Sequence, residues 1–290
     1  MPANEPPRLD AVLPPEMAEK AEQVGVRKAA MDAVSTFALA ILAGAFIALG
    51  GIFANVVLAS GGALPYGVAR LLTGVVFSLG LILVVVGGAE LFTGNNLIVM
   101  AWASRKIGAG LLLRNWAIVY LGNFVGAVGT AALVFLSGHY LFGGGAVGKA
   151  ALASAEAKAG VGFGQAVVLG VLANALVCLA VWLTYSCRTT TDKVLVIVPP
   201  IAAFVACGFE HSVANMYTLP VGLFIKAGAP DSFWSTIGEG PAAYPGLTWE
   251  AFLVNNLLPV TLGNILGGSG LVGAVYWFVY LRKPATPDKS

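Results

Sequence analysis

The sequence predicts an all-α membrane protein that crosses the bilayer several times. Hydrophobic residues make up 58% of the 290-residue chain and charged residues only 10%, whereas soluble domains carry roughly 25% charged residues. Stretches without Asp, Glu, Lys or Arg cover residues 33–69, 115–148 and 251–281. Because a membrane-spanning helix needs about 20 mainly apolar residues, these stretches are long enough to span. The alternating pattern of a membrane β-barrel is absent from the sequence.

Charge and cysteine content argue against several other classes. The net charge of +2 is too small to indicate nucleic-acid binding, and no basic patch with interleaved aromatic residues occurs. The three cysteines lie in or beside apolar segments without the spacing of metal ligands, so we expect neither a metal nor a cofactor. The first 32 residues are polar, so we expect no cleavable signal peptide.

Three segments follow one another along the chain. Residues 1–32 form a polar tail, in which apolar residues recur near helical spacing from Pro15 onwards. This pattern is typical of a helix lying on the membrane surface, with a merely solvated tail as the alternative. Residues 33–282 form the membrane domain, and residues 283–290 form a short polar tail.

Six spans are predicted within the membrane domain. The first three lie at about 34–58, 66–104 and 113–141, and the second is broken around 90–96. A connection rich in glycine and alanine, 143–160, leads to the other three. These lie at about 161–185, 194–225 and 251–281, and the fifth is broken at 208–212. A polar connection over 226–248 separates the last two spans.

The distribution of basic residues predicts the orientation, because cytoplasmic loops carry an excess of Lys and Arg. With the N-terminus inside, the cytoplasmic side holds Arg8, Lys20, Arg27, Lys28, Arg105, Lys106, Arg114, Arg188, Lys193, Arg282, Lys283 and Lys289. The outer side holds Arg70, Lys149, Lys158 and Lys226. Both termini are therefore expected in the cytoplasm, which agrees with an even number of spans.

Two motifs recur in the same order in the two halves of the membrane domain. The frame Gly-x-Glu-x-x-x-x-Asn occurs at Glu90 and again at Glu210. The motif Leu-Gly-Asn-x-x-Gly occurs at Asn123 and again at Asn264. Each half has three spans, so the second copy enters the membrane from the opposite side. The sequence thus predicts inverted repeats, at about 33–141 and 161–282, as in many transporters and channels.

The two breaks are the candidate functional site. Broken helices in corresponding positions of inverted repeats indicate a transport site, and half-helix N-termini at mid-membrane favour an anion. The small polar side chains there are Thr93, Asn95 and Asn96 in one break and His211, Ser212 and Asn215 in the other. Glu90 and Glu210 match each other, so we expect them to support the breaks, with direct substrate contact as the alternative.

His211 has Leu91 as its counterpart, so the symmetry of the repeats does not explain it. A histidine beside an anion path is a plausible proton partner, and a hydrogen-bonded core histidine is the alternative. Asn174, in the middle of the fourth span, should face protein or pore. Lys158, on the outer side, could attract anions or be an ordinary surface lysine.

Together these residues resemble the formate/nitrite transporter family, and most of all its formate channels, over about residues 14–281. The resemblance rests on the lead-in around Met17, which has one extra residue, on Ala89-Glu90-Leu91-Phe92-Thr93, on the Gly208–Met216 stretch and on Gly263-Asn264-Ile265-Leu266-Gly267-Gly268. It implies a homopentamer with an aquaporin-like protomer and one substrate path in each protomer.

The resemblance also assigns residues to that path. It implies that His211 is the central histidine, Thr93 the loop threonine, Lys158 the vestibule lysine and Asn174 the inner asparagine. It further implies apolar constrictions at Phe77, Leu81, Leu91 and Phe204. Gly94-Asn95-Asn96 follows the threonine here, whereas formate channels often carry other small residues and hydrosulfide-type members can carry a similar pair.

The predicted function is therefore transport of a small monovalent anion, most of all formate, across the inner membrane of a bacterium. Proton transfer from His211 would let the substrate pass as a neutral acid. Nitrite, hydrosulfide or acetate transport by the same path is the first alternative. A water or small neutral-solute channel is another, although Asn-Pro-Ala signatures are missing. An enzyme is not expected, because no nucleophile or metal set accompanies Glu210 and His211.

Overall fold

The computed structural model describes residues 10–282, which form helices joined by turns, with no β-strand in that range. The helices are α1 Pro14–Ala30, α2 Ala33–Leu58, α3 Tyr66–Gly87, α4 Phe92–Asn95, α5 Val99–Ala103, α6 Ala109–Leu136, α7 Ala146–Ala159, α8 Phe163–Ser186, α9 Thr190–Ala206, α10 Ser212–Gly228, α11 Asp231–Ile237 and α12 Ala251–Tyr280. Five of them, α2, α3, α6, α8 and α12, are long and apolar enough to cross a membrane. The predicted all-α membrane class is confirmed.

Two short non-helical segments lie within the regions predicted as the second and fifth spans. Residues 88–91 separate α3 from α4, and residues 207–211 separate α9 from α10. Gly88 has φ of 79° and Gly208 has φ of 74°, a left-handed conformation that glycine adopts without steric cost. Because α9 and α10 have only 17 residues each, neither reaches the length of a full span by itself.

Two helices, α6 and α9, begin or end away from their predicted bounds. α6 begins at Ala109 rather than near residue 113, and the guanidinium of Arg114 donates a hydrogen bond to the Met31 carbonyl, 3.2 Å away. It ends at Leu136 rather than at residue 141. α9 begins at Thr190 because Thr189 and Asp192 form a capping box at its N-terminus.

The glycine- and alanine-rich stretch predicted as a connection is largely a helix. α7 occupies 14 of its residues, and it begins after three successive glycines with positive φ, at 143–145. Alanine has the highest helix propensity, and α7 buries Ala151, Leu152 and Ala155 on one face. This helix was not predicted from the sequence because its hydropathy is low and it packs through small side chains. α11 lies in the second predicted connection.

α1 packs against the protein through one face. Met17, Ala18 and Ala21 are buried in a cluster that includes Met100 and Trp182. The predicted helix after Pro15 is therefore present, and its apolar face contacts other helices. Its position on the membrane surface stays a prediction. The predicted C-terminal tail, residues 283–290, lies outside the described residues, as do residues 1–9.

Glycines bring two pairs of long helices into close contact. Gly122 and Gly126 of α6 face α2, where a Cβ at Gly126 would overlap the Ile41 carbonyl. Gly263 and Gly267 of α12 face α8, where a Cβ at Gly267 would overlap the Val171 carbonyl. The Leu-Gly-Asn-x-x-Gly motifs therefore set the distance between α6 and α2 and between α12 and α8, and they place each asparagine at a helix interface.

Candidate functional site

Two cavities approach the breaks from opposite directions. The larger, about 530 Å³, is lined by Lys158, Glu210, His211 and the break after α9; we call it the Lys158 cavity. The other, about 290 Å³, is lined by Lys28, Glu90, Leu91 and the break after α3; we call it the Lys28 cavity. The two cavities share no lining residue, so the breaks lie between two separate openings.

Apolar side chains close the inner end of each cavity. In the Lys158 cavity, Phe77 and Phe204 meet edge to face with ring centroids 5.7 Å apart, and Phe204 stacks on the imidazole of His211 at 5.8 Å. In the Lys28 cavity, Leu81 and Leu91 are each 2% exposed. The four residues predicted as constrictions are therefore arranged as two pairs, one pair at each cavity.

Thr93 and His211 contact each other beside the apolar residues. His211 stacks against Phe204, and Thr93 lies two residues after Leu91. The Thr93 hydroxyl lies 3.0 Å from Nε2 of His211, and both side chains are buried. The backbone N–H of Ala214 donates to Nδ1 of His211 at 3.1 Å. Since Nδ1 accepts a hydrogen bond, a neutral imidazole carries its proton on Nε2 and donates it to the Thr93 oxygen. The pair thus presents an imidazole N–H and a hydroxyl at mid-protein.

The local folding of each break explains these positions. His211 is the N-cap of α10, where its side chain accepts from the third residue of the helix. Leu91 occupies the corresponding position before α4, and Thr93 lies in the first turn of that helix. The N-termini of the two half-helices, which carry partial positive charge, therefore point at the same region.

Each break is held by one asparagine of the Leu-Gly-Asn-x-x-Gly motif. The Asn123 side chain accepts from the Phe92 N–H at 2.8 Å and donates to the Ala40 and Glu90 carbonyls, at 2.7 and 2.9 Å. Asn264 makes the same three bonds in the other half, to the Ser212 N–H and to the carbonyls of Gly170 and Glu210. These bonds satisfy backbone groups that the broken helices leave unpaired.

Glu90 and Glu210 have matching surroundings. Glu90 pairs with Lys28 at 2.9 Å and accepts from the Asn95 amide at 2.7 Å. Glu210 pairs with Lys158 at 2.7 Å and accepts from the Asn215 amide at 2.6 Å. Asn115 and Asn256 complete the two clusters, each donating to the carbonyl of the local lysine. Both carboxylates are therefore compensated by a cation and by amides within a buried network.

Lys28 lines the Lys28 cavity and binds Glu90, a role that was not predicted from the sequence. It lies in α1, one residue before Ala29, as Lys158 lies in α7, one residue before Ala159. The two lysines are 130 residues apart, and the same offset separates Leu39 from Leu169, whose carbonyls accept from the N–H groups of Glu90 and Glu210. The shared Lys-Ala pair was the available signal, but it is short and common in alanine-rich helices.

Asn174 and Ser212 lie next to the pair without lining either cavity. The amide of Asn174 donates to the Asn264 carbonyl at 2.6 Å and to Asn96 Oδ1 at 2.8 Å, and it approaches the Thr93 carbonyl at 3.4 Å. It therefore connects the two halves behind Thr93. The Ser212 hydroxyl is buried and has no hydrogen-bond partner among the described residues. No group of three or more His, Cys, Asp and Glu suited to a metal ion occurs in residues 10–282.

Each break lies beside a cavity, and the two breaks contact each other through a buried polar pair. This arrangement is typical of a membrane transport protein. Residues 15–278 match the family model for formate/nitrite transporters. The chain belongs to the formate/nitrite transporter family, as the sequence motifs predicted. Membership of a transporter family also agrees with the expectation that the chain is not an enzyme.

Characterised relatives cover almost the whole chain. It is 48% identical over 275 residues to the formate channel FocA of Escherichia coli K12, covering 95% of this chain and 96% of that protein. It is 41% identical to FocA of Haemophilus influenzae, over 91% of this chain and 93% of that one. It is 36% identical to the formate channel BtFdhC of Bacillus thuringiensis, with coverages of 93% and 96%.

Two solved structures share the fold. A pentameric formate channel with formate bound superimposes with a TM-score of 0.82 and 47% identity, covering 86% of this chain and 98% of that one. An ion channel of the same family gives a TM-score of 0.74 and 30% identity, covering 91% and 98%. The family, the membrane location and the all-helical fold are thus supported by sequence and by structure.

Proposed function

We propose that this chain transports formate across the inner membrane of a bacterium, through one path in each protomer of a homopentamer. The proposal rests on relatives described as formate channels and on the similar pentameric channel with formate bound. The structural observation that carries it is the contact between Thr93 and His211, with an apolar pair on each side. Family membership favours anion transport over the water-channel alternative.

The path selects by size and hydration. An anion entering either cavity meets Phe77 and Phe204 or Leu81 and Leu91, which offer no replacement for its water shell. Small ions with weak hydration lose least there, and larger or doubly charged ions are excluded. Past the apolar pair, a carboxylate that displaces the hydrogen bond between His211 and Thr93 can accept from the Nε2–H of His211 and from the Thr93 hydroxyl, which offsets part of the desolvation cost.

His211 participates first as a hydrogen-bond donor. To give up a proton and remain neutral, the imidazole would need a second proton on Nδ1, which accepts from the Ala214 N–H. Proton exchange with the substrate therefore requires that this capping bond open. We propose that His211 exchanges a proton only in that opened arrangement, so that formate can also pass as formic acid.

The topology proposed for this path has six spans in two inverted repeats, with α3–α5 and α9–α10 as the broken second and fifth spans. The matched clusters at Glu90 and Glu210 support the inversion, and they extend each repeat to include α1 or α7. The excess of basic residues on one side supports cytoplasmic termini. In that orientation the Lys158 cavity opens outward and the Lys28 cavity opens to the cytoplasm.

Formate is favoured over hydrosulfide despite Gly94-Asn95-Asn96. The Asn95 amide is bonded to Glu90 and Asn115, and Asn96 accepts from Asn174. These amides support the break, so their presence after Thr93 does not by itself indicate another substrate.

Competition for uptake tests the substrate. The purified protein would be reconstituted into liposomes and labelled formate would be added to the outside medium. Unlabelled formate, nitrite, hydrosulfide and acetate would then be added to that medium in turn as competitors. We expect uptake well above that of protein-free liposomes, with unlabelled formate competing best. Uptake no faster than in protein-free liposomes, or stronger competition by another anion than by formate itself, would contradict the proposal.

A further inference from the structure

The excess positive charge in the lining of the Lys158 cavity does not come from Lys158. This lining contains two cations, Arg70 and Lys158, and among the described residues one acid, Glu210. Lys158 and Glu210 form an ion pair at 2.7 Å. The charge of that lysine is therefore compensated within the cavity wall, and the remaining positive charge belongs to Arg70.

Arg70 reaches the cavity from the first turns of α3. Its Nε donates to the Ala206 carbonyl at 3.2 Å, and its Nη2 donates to the Val205 carbonyl. Both acceptors lie at the C-terminus of α9, directly before the break. Within residues 10–282 Arg70 forms no ion pair with a carboxylate. The helix C-terminus supplies only partial negative charge, about half a unit spread over several carbonyls.

The other half of the protein has no such arginine. Glu90 and Glu210 are 120 residues apart, and at the same offset the counterpart of Arg70 is Thr190. A Cβ at Gly208 would contact the Arg70 guanidinium, whereas a Cβ at Gly88 would meet open space. Lys193, in the first turn of α9, lines the Lys28 cavity, but within residues 10–282 it donates no side-chain hydrogen bond to the end of α3. Support of the break in general therefore does not explain Arg70, since the break after α3 forms without a cation bonded to the preceding helix end.

We propose that Arg70 is the residue that attracts the substrate anion into the Lys158 cavity, a step that rests on the transport function proposed above. Its guanidinium is held beside the entrance to Phe77 and Phe204 by the carbonyls of Val205 and Ala206. A cavity with net positive charge and apolar walls concentrates anions and raises their rate of entry. Guanidinium is weakly hydrated and always charged, so it can meet a carboxylate with little loss of water.

A purely structural role makes a different prediction. If Arg70 served only to cap α9, the loss in Arg70→Gln would follow from altered local geometry and would be the same at low and high salt. If the charge matters, Arg70→Lys keeps the function and Arg70→Gln loses it. The electrostatic contribution also weakens with salt, because the Debye length falls from about 10 Å at 0.1 M to shorter distances at higher ionic strength.

The experiment measures initial formate uptake into liposomes at subsaturating formate, at low and high concentrations of potassium gluconate. The proteins are wild type, Arg70→Gln, Arg70→Lys and, as a matched control, Arg105→Gln, which changes an exposed arginine that lines neither cavity. For Arg70→Gln we expect uptake about fivefold below wild type at low salt and within about twofold at high salt. Arg70→Lys should stay within about twofold of wild type throughout, and Arg105→Gln should match wild type.

Uptake by the wild type is read first. Its absence would overturn the proposed transport function and this inference with it. If the wild type transports formate, equal and salt-independent losses in Arg70→Gln and Arg70→Lys would overturn the inference alone, as would Arg70→Gln behaving like wild type at low salt. Size-exclusion profiles identical to wild type verify that the variants are folded.

Discussion

At the residue scale, the central pair is formed by positions that the internal symmetry leaves different. Glu90 and Glu210 bind residues at corresponding positions of the two halves, and so do Asn123 and Asn264. This correspondence indicates that all four support the breaks. His211 corresponds to Leu91, and its imidazole meets Thr93 from the other half. The polar groups at the central contact thus come from the asymmetric residues, and the role of His211 in transport stays a prediction.

Substitution of His211 separates hydrogen bonding from proton exchange. His211→Asn keeps an N–H donor but cannot titrate near neutrality, so we expect formate uptake with a flat dependence on pH between about 5 and 8. His211→Ala removes both properties, and we expect slower uptake that is equally flat. Uptake would be followed with labelled formate in liposomes, after subtraction of formic acid diffusion through protein-free membranes. A pH profile for either variant identical to that of wild type would exclude the proton role.

Residue-level prediction from the sequence had a clear limit. The breaks, the two glutamates and His211 were identifiable because polar residues interrupt apolar runs. Lys28 and Arg70 were not, because each acquires its partner from an element far away in the chain. Lys28 contacts Glu90 across 62 positions, and Arg70 contacts the end of α9 across more than 130. Such contacts follow from helix packing, which spacing along the chain does not reveal.

At the element scale, hydrophobic length located the long helices well, while α7 was taken for a connection. The reason is that α2, α3, α6, α8 and α12 must each cover the apolar thickness of a bilayer. α7 has no such requirement, and it packs on α10 through small residues such as Ala155, which lies against Gly222. Small-residue packing leaves little trace in hydropathy.

The contact between α2 and α6 tests whether glycines set the distance between helices. We expect Gly126→Ala to destabilise the protein by about 2 kcal/mol or more, because its Cβ would overlap the Ile41 carbonyl and push the helices apart. The matched control is Gly129→Ala in the same helix, where a Cβ meets no atom within 4 Å. The control should be neutral or stabilising by up to about 1 kcal/mol. Thermal unfolding in detergent would compare the two, and equal melting temperatures would contradict the close approach.

At the scale of the whole molecule, the proposed path needs residues from both halves. Each half contributes a break and an ion pair. Of the four apolar residues, Phe77, Leu81 and Leu91 come from the first half and Phe204 comes from the second. The two cavities end on opposite sides of the same buried contact. The central claim is that the substrate crosses the protein through this contact, inside each protomer.

Obstruction of the path tests that claim most directly. Leu81→Trp places a larger side chain at the inner end of the Lys28 cavity, and the matched control Leu133→Trp makes the same exchange at an exposed position of α6. Initial uptake of labelled formate into liposomes would be measured for both variants and for wild type, with size-exclusion profiles as the folding control. We predict that Leu81→Trp falls to the level of protein-free liposomes while Leu133→Trp matches wild type. Equal uptake by Leu81→Trp and wild type would contradict the proposed path.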